Sequence, residues 1–179
     1  MRKILFAATI LFGFAMSANA ERFIQGDLGY AVQPSWTDHR DNSFSFDAGI
    51  GYDFGQLAVV GTYIRTPGTN GNGVDADIGV ISIQASPYTV GNFKPFAEAG
   101  IGYGYFGGPA VKNTNGITEP QESPVFEAGL GTTFAFTPRA KIVAEAKFLT
   151  TSNTVTVDNT NKSSDYSSIV LTSGIRYSF

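Results

Sequence analysis

The sequence predicts an all-β chain that closes into an antiparallel, up-and-down transmembrane β-barrel of about eight strands, after a cleaved signal peptide. Two observations predict this fold. Five segments alternate between apolar residues and small or polar ones, which is the period of a strand and not of a helix. The links between the predicted strands alternate between long and short, as they do in a barrel with long loops at one end and tight turns at the other.

The first residues differ in composition from the rest of the chain. A basic start and an apolar run over residues 4–16 are followed by Ala18-Asn19-Ala20, the small-x-small pattern that a signal peptidase accepts. We therefore expect cleavage between Ala20 and Glu21, with residues 1–20 as a signal peptide and residues 21–179 as the barrel domain. An uncleaved N-terminal anchor is the alternative, but the run is shorter than the ~20 apolar residues that a membrane helix needs.

The composition excludes several classes of protein. There is no Cys, so disulfides and thiolate chemistry are excluded. Without Arg2 and Lys3, 10 basic residues remain against 15 acidic ones, and this net charge of −5 argues against a nucleic-acid partner. Beyond residue 20 no apolar stretch reaches the length of a membrane helix, so a membrane passage has to be made by strands. The 21 Gly and the 23 Tyr and Phe residues suit such strands.

The first four predicted strands occupy residues 23–33, 43–54, 57–65 and 74–85. In the first, apolar residues such as Leu28 and Tyr30 oppose Gln25, Asp27 and Gly29. In the second, an apolar face that runs from Phe44 to Phe54 opposes small and acidic residues. The third and fourth segments are strand-like but carry apolar residues at both parities, so their faces stay unassigned. Long polar links are expected near 34–42 and 66–73, and a tight turn at 55–56.

The last four predicted strands occupy residues 95–105, 126–136, 141–148 and 169–179. Each has one face of alternating, mostly apolar residues, and the opposite face is rich in Gly and charge. Links near 107–123 and 150–165 are long, and those near 86–94 and 137–140 are shorter and carry turn residues. The regular alternation of link lengths favours a barrel over a soluble Greek-key sandwich.

The apolar face is expected to contact lipid. The opposite face is too rich in Gly for a solvated surface, and Gly is expected where space is short, as it is inside a barrel of about eight strands. Aromatic residues also cluster near the ends of the apolar face, where the girdles of membrane barrels lie. These residues are Tyr52, Phe54, Tyr103, Tyr105, Phe134, Phe136 and Tyr177.

Three motifs carry a resemblance to a known family. The segments 94–103 (KPFAEAGIGY), 127–131 (EAGLG) and 136–140 (FTPRA) resemble the outer-membrane β-barrel group that includes the OmpA transmembrane domain, the opacity proteins and the small neisserial surface protein. The resemblance covers essentially the whole chain after residue 20. It implies a location in the outer membrane of a Gram-negative bacterium, contact with outer-membrane lipid and lipopolysaccharide, and a surface role in envelope integrity or adhesion through extracellular loops.

The end of the chain is similar to the signal that the barrel assembly machinery reads in such proteins. Ile175, Tyr177 and Phe179 share one face of the last predicted strand. The resemblance thus implies this machinery as a partner during biogenesis. We expect a monomer, with any extracellular ligand of the loops unknown.

The inward-facing charges are the residues most informative about function. Six acids face three bases, so we expect a cross-barrel network in which Arg176 pairs with Asp27, Glu145 or Glu98. The surplus carboxylates should lie near water, be protonated or hold cations. A structural network that fills the barrel is the favoured interpretation, and a narrow cation-preferring channel is the alternative. The predicted set is Asp27, Asp47, Asp53, Glu98, Glu127, Glu145, Lys141, Lys147 and Arg176.

No catalytic, cofactor or metal site is expected. The run Gly102–Gly107 fits a dinucleotide-binding pattern, but no helix is expected to follow it, as such a site requires. His39 is the only histidine and lies in a loop near Ser35, Asp38 and Ser43 without a recognisable triad. A lipid A-modifying enzyme is therefore the least favoured hypothesis.

Overall fold

The computed structural model describes residues 20–32, 42–68, 74–108, 120–155 and 164–179. They form eight consecutive strands, each antiparallel to the next, and β1 pairs with β8 to close the barrel. No described segment is a helix that is long and apolar enough to cross a membrane. The strands are β1 Glu21–Val32, β2 Asn42–Asp53, β3 Leu57–Thr66, β4 Asp75–Ala85, β5 Phe93–Gly107, β6 Gln121–Ala135, β7 Ala140–Val155 and β8 Ser164–Ser178.

The predicted barrel and its strand count are thus confirmed, and β5, β6, β7 and β8 extend further towards the long links than the alternation alone indicated. Residues 1–19 lie outside the described residues, so the signal peptide stays a prediction. The register places Phe23 opposite Ser178 across the closing seam. The backbone N–H of Phe179 donates to the carbonyl of Arg22 at 2.9 Å, which ties the last residue to the first strand.

Short turns join the strands at one end of the barrel, which we call the turn end. In the β2–β3 turn, Gly55 adopts a φ of 96° and its N–H donates to Asp53 Oδ1 at 2.8 Å. In the β6–β7 turn, Thr137 Oγ1 accepts the N–H of Ala140 at 2.8 Å. Both chain ends of the barrel lie at this end, and the four long links leave from the opposite, loop end.

The outer face of the barrel is apolar. Large hydrophobic side chains alternate with buried ones along the strands and are 40% exposed or more, up to 68% for Ile101 and 67% for Leu130. In water such a continuous apolar surface would drive association, whereas in a bilayer it is solvated by lipid. Exposed aromatics such as Tyr103 and Tyr177 lie near the two ends. Tyr52 departs from the predicted girdle, since it is only 9% exposed.

The interior is narrow, and inward-facing glycines make room for its contents. A Cβ at Gly51 would lie 2.4 Å from the ring of Phe23, and one at Gly131 would lie 2.4 Å from the ring of Phe96. These close approaches confirm that Gly marks the crowded face of the strands. They also show that side chains fill the space instead of leaving a wide lumen.

The interior divides into two halves of different character. The half at the turn end holds the charged network, together with a small apolar cluster of Phe23, Ala58 and Val60. Towards the loop end the buried side chains are mostly apolar, which the sequence analysis did not anticipate, although Ser43, Thr66, Ser123, Thr151 and Ser168 are buried at the same end. There the Phe106 and Tyr166 rings meet in a tilted arrangement, with their centroids 4.8 Å apart and their planes at 48°. This apolar plug consists of Ala31, Ile64, Val74, Ala76, Ile78, Val80, Phe106, Val125, Leu149, Tyr166 and Val170, all buried.

Candidate functional site

The polar half of the interior gathers charged side chains from six strands. The structure places eight of the nine predicted residues in buried positions, between 0% and 7% exposed. The ninth, Lys141, is half-buried at the turn end, where its Nζ lies 3.3 Å from Glu21 Oε2. The buried eight are Asp27, Asp47, Asp53, Glu98, Glu127, Glu145, Lys147 and Arg176.

Arg176 on β8 reaches across the interior through neutral amides. Its Nε donates to Gln25 Oε1 at 2.8 Å and its Nη2 donates to Gln84 Oε1 at 3.0 Å. The guanidinium carbon also lies 4.0 Å from the centre of the Phe23 ring, within the range of a cation–π contact. The predicted direct pairing of Arg176 with a carboxylate is therefore wrong.

The amide groups of the two glutamines also donate hydrogen bonds to the acids. Gln25 Nε2 donates to Asp27 Oδ2 at 2.7 Å and to Glu145 Oε1 at 3.0 Å. Gln84 Nε2 donates to Glu98 Oε2 at 2.9 Å. An amide can accept from a guanidinium and donate to a carboxylate at once, so each glutamine satisfies groups on both sides. The direct pairing fails because these amides lie between the charges.

Lys147 on β7 forms the second centre of the network. Its Nζ lies 3.0 Å from Asp47 Oδ2 and 3.1 Å from Glu145 Oε1, and all three side chains are buried. Ser45 Oγ donates to the other oxygen of Asp47 at 3.0 Å. Because Glu145 accepts from both Gln25 and Lys147, it joins the two centres into one network.

The acids outnumber the bases in this network. Asp27, Asp47, Glu98, Glu127 and Glu145 are buried with only Lys147 and Arg176 as counter-charges. The Ser82 hydroxyl donates a hydrogen bond to Glu127 Oε1. Even so, one carboxylate oxygen of Asp27, of Glu98, of Glu127 and of Glu145 receives no hydrogen bond from the described residues. Burying an uncompensated charge costs several kcal/mol, so the surplus is a chemical property that requires an explanation.

Five residues of the site are not in the predicted set, and for Lys94 and Gln84 the reason can be identified. The other three are Gln25, Ser45 and Ser82. Lys94 lies at the start of β5, and its Nζ donates to both carboxylate oxygens of Asp53, at 2.8 and 3.0 Å. The sequence analysis places Lys94 in the link near 86–94, although its spacing of four residues from Glu98 puts it on the inward face of the strand. Gln84 was missed because the face of β4 was left unassigned.

A separate polar group lies on the outer face at the loop end. Arg65 Nη1 lies 3.0 Å from Asp77 Oδ1, and the Tyr63 hydroxyl donates to the same carboxylate. Tyr103 donates to Glu122 Oε2 at 3.1 Å. These side chains are at the level where membrane barrels carry their aromatic girdle and meet lipid head groups.

The described residues hold no histidine- or cysteine-based catalytic arrangement. They contain neither His nor Cys, and His39 lies outside them together with Ser35 and Asp38. The Gly102–Gly107 run lies within strand β5 and does not open a helix, so it cannot hold a pyrophosphate at a helix N-terminus. What the geometry offers is a buried, acid-rich network beneath an apolar plug.

Known structures share this architecture. Neisserial surface protein A matches with a TM-score of 0.69 and 22% identity, covering 89% of this chain and 99% of that one. The N-terminal barrel domain of OprF from Pseudomonas aeruginosa matches with a TM-score of 0.61 and 13% identity, covering 90% and 98%. No protein-family model and no curated protein sequence matches the chain. By its closed eight-stranded architecture, this chain has the fold of the outer-membrane β-barrels.

Proposed function

We propose that the protein is a non-enzymatic surface protein of a Gram-negative outer membrane, which acts in envelope integrity or adhesion through its extracellular loops. The barrel serves as a closed, rigid anchor. On this proposal a signal peptide ending at Ala20 exports the chain, the barrel assembly machinery inserts it, and it works as a monomer among phospholipid and lipopolysaccharide.

The apolar plug is the observation that carries the proposal. Its side chains occupy much of the loop-end half of the interior, and the Phe106 ring among them is 0% exposed. An ion that entered from the turn end would have to lose its hydration against hydrocarbon, which is how apolar constrictions close channels. A closed interior leaves the outer face and the loops as the surfaces that can meet a partner, and loops on a rigid scaffold commonly carry binding.

The loop role can be tested in cells. Residues 109–119 and 156–163 would be replaced by Gly-Ser segments of equal length, and the variant compared with the wild type in a strain that lacks the chromosomal gene. We expect unchanged amounts of folded protein in the outer membrane, because the strands are untouched, but reduced adhesion or a raised sensitivity to bile salts. Wild-type behaviour in both assays, with normal surface display, would contradict the proposal.

A narrow cation-preferring channel is the second candidate, and the acid surplus of the interior favours it. The two candidates differ in planar bilayers. With confirmed insertion and a KCl gradient, the closed barrel is expected to stay silent, because the plug blocks the path. Discrete cation-selective steps that shrink in Glu127→Gln would instead establish the channel. Phe106→Ala is the positive control, since it removes a buried aromatic ring from the plug and should admit current.

A further inference from the structure

The charged half of the interior has the composition and spacing of a divalent-cation site. Asp27, Asp47 and Glu145 each present one carboxylate oxygen, and these three oxygens lie within 4.8 Å of one another. Two oxygens bound to one Ca²⁺ lie at most about 5 Å apart, since each Ca²⁺–oxygen distance is 2.3–2.6 Å. The three carboxylates come from strands β1, β2 and β7, so the barrel wall holds them in place.

The charge of this group fits a divalent ion. Three carboxylates and the Lys147 ammonium carry a net charge of −2 when all are ionised, and they are 0–5% exposed. One Ca²⁺ or Mg²⁺ would bring the group to neutrality. The Lys147 ammonium alone cannot neutralise the group, because it carries one positive charge against three carboxylates and contacts only Asp47 and Glu145. Hard, oxygen-only ligands select Ca²⁺ or Mg²⁺ over transition metals.

A fourth carboxylate provides an independent indication that a ligand belongs here. Glu127 on β6 is 5% exposed, and its Oε2 receives no hydrogen bond from the described part of the chain. Lys147, Glu145 and Asp47 lie within electrostatic reach of Glu127, although its oxygens are not among the three that lie within 4.8 Å of one another. The second oxygens of Asp27 and Glu145 are also without a donor among the described residues. These buried acceptors have no donor among the described residues, and a cation held by Asp27 and Glu145 would offset part of that deficit.

We propose that the interior of the barrel binds one divalent cation, Ca²⁺ or Mg²⁺, between Asp27, Asp47 and Glu145, with Glu127 completing the acidic surroundings. The ion neutralises the acid surplus and joins β1, β2 and β7 from within. It enters from the turn end or during folding, because the apolar plug covers the other side. This site does not depend on the role of the loops.

The test is calcium binding to the full-length folded protein in detergent. After EDTA treatment and dialysis into about 150 mM KCl, which screens weak surface binding, isothermal titration calorimetry should give one Ca²⁺ per chain. Asp27→Asn and Glu145→Gln should each weaken the affinity by about tenfold to a hundredfold. Asp53→Asn is the matched control, since Asp53 is buried but pairs with Lys94 outside the group, and it should bind Ca²⁺ as the wild type does.

Urea unfolding separates a metal role from a merely structural one. In EDTA, Asp27→Asn should be as stable as the wild type or more so, because it relieves the acid surplus. In Ca²⁺ the wild-type midpoint should rise and that of Asp27→Asn should not. An absence of Ca²⁺ and Mg²⁺ binding would overturn the proposal. So would equal binding by Asp27→Asn and the wild type, which would indicate exposed acids such as Asp75 and Glu122.

Discussion

Gly174 shows how single residues decide what the barrel can contain. It points inward on β8 opposite Asp27, and a Cβ there would lie 2.0 Å from the carbonyl oxygen of Gly26 and 2.3 Å from Asp27 Oδ1. The first of these neighbours is backbone of the adjacent strand, which cannot move without opening the ladder. The absence of a side chain at Gly174 is therefore what lets a carboxylate fit against the wall at that level.

We expect Gly174→Ala to destabilise the barrel by about 1–3 kcal/mol, the usual cost of overpacking a filled interior. Gly79→Ala is the matched control, because Gly79 faces outward and a Cβ there would meet nothing within 4 Å. That variant should be neutral or stabilising by roughly 0.5 kcal/mol. Reversible urea titrations in detergent, followed by circular dichroism, would measure both. Equal effects of the two substitutions would contradict the packing argument.

At the scale of the strands, the sequence predicted most of the fold because lipid outside and polar filling inside impose a strict period of two. β2, β5, β6, β7 and β8 follow that period, and their lipid-facing sides were assigned correctly. β3 and β4 do not follow it over their loop-end halves. There the inward positions, such as Ile64 and Ile78, are apolar because they build the plug, and the outward positions include Arg65 and Asp77. A polar-inside rule fails wherever the interior is itself apolar.

Most charged members of the network were predictable from the sequence, but Lys94 and the pairing were not. The alternation of side chains along each strand predicts which charges point inside, because this alternation depends only on the pleat of the strand. Which groups meet depends on the shear of the closed barrel, which brings residues far apart in sequence together. Arg176 lies beside Gln25 on the neighbouring strand, where the register alone could suggest a contact, and also beside Gln84 on β4, where it could not. The neutral side chains of Gln25 and Gln84 are absent from the predicted set because that set contains only charged residues.

For the whole molecule, the distribution of apolar side chains differs from that of a soluble protein. The outer surface is apolar, and the loop-end part of the interior is apolar like the core of a soluble protein. The barrel's outer surface is hydrocarbon, and its interior holds a charged half and an apolar half in series along the axis. A soluble chain with this exposed surface would aggregate. The interior is therefore asymmetric along the barrel axis: the charged network lies towards the turn end, and the apolar plug lies towards the long loops.

The lipid-facing orientation can be measured directly. Leu130 lies on the outer face of β6 and is 67% exposed, with Ala97 and Ala146 beside it across the two neighbouring ladders. Leu130→Arg should destabilise the barrel folded in lipid vesicles by about 2–4 kcal/mol, because the guanidinium would be placed in hydrocarbon. Phe136→Arg is the matched control: Phe136 is 51% exposed in the β6–β7 turn, at the interface, where the expected cost is only about 0–1 kcal/mol.

In a barrel whose outer face met water, both substitutions would be neutral or favourable for solubility. A difference of at least about 1 kcal/mol between the two urea-derived free energies of unfolding would therefore support a lipid-facing belt, and the same small effect from both would refute it.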